Sequence, residues 1–157
     1  MFSFGSKKVV DAAPVLRRIV DLTIPNAPTA DETRSERRFN RTLPLVLTPT
    51  KKYTPQLSES VMGVTQDISD RGLGALSLEE LPEGEYTVSL WPPGEQFEEP
   101  IHLLCMLVNC RPIAHGFWAN GFCIQELLNL TYKAKLEKLD EIVSLALRPK
   151  ELEEVGT

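Results

Sequence analysis

The chain has 157 residues, enough for one domain with its own core and short appendages, and its 42% hydrophobic and 25% charged content is that of an ordinary globular protein. A formal net charge of −5 excludes a general binder of duplex nucleic acid, which needs a basic surface against phosphate. No apolar run reaches the roughly 20 residues of a membrane-spanning helix, and three cysteines without an apolar leader after Lys7 and Lys8 point to a cytoplasmic protein with reduced thiols.

Val15, Leu16, Ile19, Val20 and Leu22 recur at helical spacing, which predicts a short amphipathic helix over 11–22 with Pro14 in its first turn. Residues 23–33, with Pro25, Asn26 and Pro28, have the composition of a linker. From Thr42 onward the pattern changes to short β-branched and apolar runs, which predict strands near 42–48, 61–68, 72–78, 85–91, 101–110 and 117–127. The segment Trp91-Pro92-Pro93-Gly94-Glu95 cannot continue a ladder, so it joins two strands of a hairpin. Six short strands with no helices between them favour a closed antiparallel barrel over the alternative, a sandwich.

The last element returns to helical spacing: Tyr132, Leu136, Leu139, Ile142, Val143 and Leu147 form a stripe among charged residues. Thr131 or Asn129 can cap its start, Pro149 stops it, and the stripe covers the barrel or, alternatively, a partner helix. The expected division is an extension and linker over 1–32, a barrel over 33–130, the C-terminal helix over 131–148 and a tail over 149–157.

Two features carry chemistry. Arg34, Arg37, Arg38 and Arg41 fall within eight residues of an otherwise acidic chain. Guanidinium groups are planar forks that bind phosphate bidentately and stack on flat rings, so the cluster suits a nucleotide; a solvated linker pairing with Asp31, Glu32 and Glu36 is the bland alternative. The second feature is the turn Asp67-Ile68-Ser69-Asp70-Arg71-Gly72, between two predicted strands. Its carboxylate can accept the N–H donors of guanine's Watson–Crick edge, while arginine reads O6 and N7. Gly72 is expected to supply a positive φ, and a purely structural turn is the alternative reading. His102, Cys105, Cys110, His115 and Cys123 do not have the spacing of a zinc site, and no phosphate loop or identifiable Ser–His pair is present, so neither a metal nor an enzyme is expected.

In combination, Arg37-x-x-x-Arg41 followed by Asp67-x-Ser69-x-x-Gly72 resembles the PilZ domain family of bacterial cyclic di-GMP receptors, over roughly residues 34–130. The resemblance implies an all-β, six-stranded antiparallel PilZ-like barrel with a C-terminal amphipathic helix and a short N-terminal helical extension. It implies that Arg37 and Arg41 clamp phosphates and guanine edges with help from Arg38, that Asp67 and Ser69 hold a guanine, and that Gly72 shapes the turn. Phe39, two before Arg41, favours that register over Arg34 with Arg38. Glu36 stands where members that bind an intercalated nucleotide dimer carry arginine, which leaves the number of nucleotides open. The expected function is a non-enzymatic receptor with cyclic di-GMP as ligand and no other cofactor. It changes conformation on binding and signals to an unidentified downstream protein, with a homodimer left open. The alternative is a degenerate barrel that serves protein interaction or assembly.

Overall fold

The runs between Thr42 and Leu127 form antiparallel strands that pair edge to edge until the sheet meets itself. In the computed structural model, which describes residues 9–22, 39–92 and 97–148, the elements are α1 (Ala13–Leu22), β1 (Phe39–Asn40), β2 (Pro44–Lys51), β3 (Thr54–Pro55), β4 (Val61–Ile68), β5 (Gly72–Ser77), β6 (Glu85–Leu90), β7 (Ile101–Pro112), β8 (Trp118–Leu127) and α2 (Lys133–Leu147). The pairing order β4-β5-β8-β7-β6-β2, completed by β2 on β4, closes a six-stranded antiparallel barrel. All six expected strands are present with small shifts at their ends. The two-residue strands β1 and β3 add to its margins on β4 and β2.

β4 and β8 carry exposed positions among buried ones, as strands with one wet face do. β2, β6 and the first half of β7 are buried on both faces. The difference arises because α2 packs over β2, β3 and β6, placing Leu136, Leu139, Val143 and Leu147 in the core; Ile142, expected in that stripe, is exposed instead at its edge. Under α2 runs the registered row Val46–Ser89–His102. The His102 ring hydrogen-bonds Ser89 Oγ through Nδ1 at 2.8 Å and Asp140 Oδ1 of α2 through Nε2 at 2.6 Å.

The start of α2 differs from expectation. Its N-cap position is Tyr132, which makes no side-chain cap. Asn129 instead ties the chain to β7, accepting from the His102 N–H and donating to the Pro100 carbonyl, both at 2.8 Å. α1 is capped by Asp11, whose Oδ1 accepts the Ala13 N–H at 3.0 Å. Its face of Ala12, Leu16, Ile19 and Val20 belongs to the same core as the barrel, and Val10 O accepts the Leu127 N–H.

The core makes stability fall at high pH. Burial pushes the Tyr86 phenol up to about 12 and raises the Cys105 thiol well above its ordinary value. A raised pKa means that the fold favours the neutral form, so this stabilisation is complete below the unfolded value, near 10 for tyrosine, and is lost as pH climbs to the folded one. Thermal denaturation against pH should show a decline between about pH 10 and 12 that is shallower in Tyr86→Phe; an equal decline in that variant would contradict the assignment.

Candidate functional site

The β4–β5 hairpin carries the Asp67-to-Gly72 turn, and β1 pairs beside it with Phe39 opposite Ile68 and Asn40 opposite Asp67. That pairing delivers Arg41 to the flank of the turn. The backbone there is pinned: Thr65 Oγ1 donates to the Arg41 carbonyl at 2.6 Å and accepts the Leu43 N–H at 2.8 Å.

Strict alternation would have pointed Asp67 into the barrel, on the face of buried Thr65. The ladder instead shifts between Thr65 and Asp67, which pair with Ala75 and Gly74, so Gln66 is an extra residue. A bulge of this kind re-aims the side chain that follows it. Asp67 therefore turns outward over β5, where its Oδ1 accepts the Gly74 N–H at 3.1 Å. A Cβ on Gly74 would lie 2.9 Å from that oxygen, so glycine is required for the contact. Gly74 was not among the expected site residues; its signal was the second glycine of Gly72-Leu73-Gly74, which lacks the rest of a dinucleotide fingerprint.

Ser69 is buried and works within the turn. Its hydroxyl accepts the Gly72 N–H at 3.0 Å and donates to the Gly72 carbonyl at 3.1 Å, and its own N–H donates to the same carbonyl at 2.9 Å. Gly72 has a different role from the one expected. The described glycines with positive φ are Gly84 and Gly116, whereas a Cβ on Gly72 would meet the Phe122 carbonyl at 3.0 Å. Close packing of β5 on β8, not a left-handed turn, demands glycine there.

Arg41 is 7% exposed, and its Nη2 donates to the Val20 carbonyl at 3.0 Å. α1 has no basic residue in its last turn; the arginine supplies from outside the cation and donor that a helix C-terminus needs. One turn earlier on α1, Arg17 pairs with Asp70 of the hairpin at 3.2 Å, a contact that raises the Arg17 pKa through the hydrogen bond and charge of Asp70. α1 is thus fastened to both motifs. Arg34, Glu36, Arg37 and Arg38 lie outside the described residues.

The outer face beside Asp67 is a groove of about 490 Å³ lined by Asp67, Gly74, Gly121, Asn109 and Arg111 among others, within the roughly 300–1,000 Å³ of small-molecule sites. The buried Ser89–His102–Asp140 row has the residue types of a nucleophile triad, but Ser89 is 0% exposed and no substrate can reach it. Among the described residues no His, Cys, Asp and Glu converge as metal ligands. Nor is any described helix long and apolar enough to cross a membrane.

Solved structures similar to this chain include two that can be named. One is the inhibitor of motility MotI/DgrA of Bacillus subtilis, with a TM-score of 0.46 and 11% identity over 77% of this chain; the match spans 57% of the length of that protein. The other is the PilZ domain of YcgR from Escherichia coli, solved with c-di-GMP, with a TM-score of 0.39 and 16% identity over 73% of this chain and 92% of that one. No family model matches the sequence, and no curated protein matches it.

Proposed function

We propose that the protein is a non-enzymatic cytoplasmic receptor for cyclic di-GMP that passes the signal to a downstream protein through α1. The observation that supports this reading is the β1–β4 pairing, which lays Asn40, next to Arg41 in the chain, opposite Asp67, whose carboxylate turns outward over the groove. Arginine and carboxylate are the complementary pair for guanine and for the phosphates attached to it. Arg37 and Arg38 precede β1 in the sequence and would add further guanidinium groups to the clamp. Arg41 also holds the end of α1, so a ligand that draws on this guanidinium alters the docking of the helix, a mode of switching by arginine–phosphate contact.

Isothermal titration of the folded full-length protein with cyclic di-GMP tests the reading. Saturable heat is expected, together with a measured stoichiometry that settles the consequence of Glu36. A folded protein that gives no heat refutes it. One second reading has its own support: Arg41 capping α1 and Ser69 closing its turn are both structural uses of motif residues, as in a barrel retained for protein assembly. That reading predicts no heat with the nucleotide.

A further inference from the structure

The geometry points to Asn109 as a second base-reading residue, facing Asp67 across a floor of two glycines; the inference rests on the nucleotide-receptor reading above. Four residues of four neighbouring strands stand in one registered row: Asp67 opposite Gly74, Gly74 opposite Gly121, and Gly121 opposite Asn109. The two middle members have no side chains, and the two outer members lean over them. A Cβ on Gly74 would lie 2.9 Å from Asp67 Oδ1, and a Cβ on Gly121 would lie 2.8 Å from Asn109 Nδ2 and 3.0 Å from its Oδ1. The polar heads occupy the places of the missing side chains, from opposite sides.

Both outer residues are aimed by the same device. On β7 the ladder shifts between Leu107 and Asn109, which pair with Phe122 and Gly121, leaving Val108 as the extra residue. Without that bulge Asn109 would share the inward face of buried Leu107, just as Asp67 would share that of Thr65 without the bulge at Gln66. Two independent irregularities, on strands separated by β5 and β8, turn two polar side chains toward one strip of bare backbone. Simple barrel closure requires neither to end over a glycine.

The chemistry of the pair fits guanine. A carboxylate only accepts, which suits the N1–H and N2–H₂ donors, whereas an amide can donate from Nδ2 to O6 or N7. Adenine offers no N1–H and places an acceptor before the carboxylate. Arg111, exposed on the same outer face of β7, adds a cation at the end of the groove where a phosphate of such a ligand would lie.

Calorimetric titrations of the full chain with cyclic di-GMP and cyclic di-AMP test the assignment. Asn109→Ala should keep its melting temperature and lose about tenfold in affinity for cyclic di-GMP, the share of one well-placed polar contact to a base. Asn109→Asp, which keeps the shape but not the donor, should lose at least as much, an effect that a side chain merely covering Gly121 would not produce. Gly121→Ala, whose methyl displaces the amide, should resemble Asn109→Ala. If the wild type and Asn109→Ala bind cyclic di-GMP equally while Asp67→Ala does not bind, the receptor reading stands and the role of Asn109 falls. If the wild type does not bind, both fall.

Discussion

Arg41→Ala should lower affinity for cyclic di-GMP by at least about a hundredfold and, without any ligand, loosen α1 from the barrel. Both effects follow from one guanidinium with five donors, one of which serves the Val20 carbonyl. A buried, charge-assisted hydrogen bond contributes about 1.5–3 kcal/mol, and the substitution removes one such bond from the carbonyls at a helix end. A change of that size lowers the melting temperature of a chain this long by several degrees, at about 2–4 °C per kcal/mol. Faster hydrogen exchange should be confined to α1 and the neighbouring β8 amide of Leu127, which donates to Val10. Arg41→Lys separates the two roles. A lysine retains the cation for the helix terminus but not the planar fork for phosphate and guanine, so stability should recover in large part while binding does not. Wild-type affinity in Arg41→Ala would remove this residue from the clamp.

The six strands were legible because each is a short apolar-rich run, β-branched in most cases, set between turn residues. The short strands were not. Two-residue elements carry no period, and the turn joining β2 to β3 uses Lys52 and Tyr53, both with positive φ, where a sequence reader looks for Asn-Gly. That strained turn is held from afar: Tyr53 stacks on Tyr132 with centroids 4.1 Å apart and donates to buried Glu126 at 2.8 Å, and Lys135 Nζ caps the Lys52 carbonyl. The site divides in the same way. The residue types of Arg41, Asp67, Ser69 and Gly72 were visible in the sequence, but their geometry depends on partners remote in the chain. The outward aim of Asp67 comes from a bulge at Gln66, the need for Gly72 from a carbonyl on β8, and the setting of Arg41 from a helix that ends 19 positions earlier, at Leu22. α1 could be recognised as amphipathic and its last turn as lacking a basic residue, yet nothing local in its sequence told that Arg41 supplies the missing cation.

The other large effect should come from His102→Ala, which addresses how α2 is held. The ring is 1% exposed and bridges β6 to α2, with Ser89 on one nitrogen and Asp140 on the other. Truncation opens a cavity at a site walled by β-strands and a helix, and it strands the Ser89 hydroxyl away from water. Large-to-small core substitutions cost about 2–5 kcal/mol and an orphaned buried polar group about 1–3, so a loss of about 3–5 kcal/mol is expected from denaturant unfolding. Asp140→Asn should cost far less, because the side chain is 39% exposed and an amide oxygen can still accept from the imidazole. The bridge also makes a prediction that packing alone does not. Ser89→Ala and Asp140→Ala touch different elements, β6 and α2, but the tautomer of His102 that serves one of them is set by its bond to the other. Their combined cost should therefore depart from the sum of the single costs by more than the few tenths of a kcal/mol found for independent sites, and additivity would show that the imidazole fills space without relaying its hydrogen bonds.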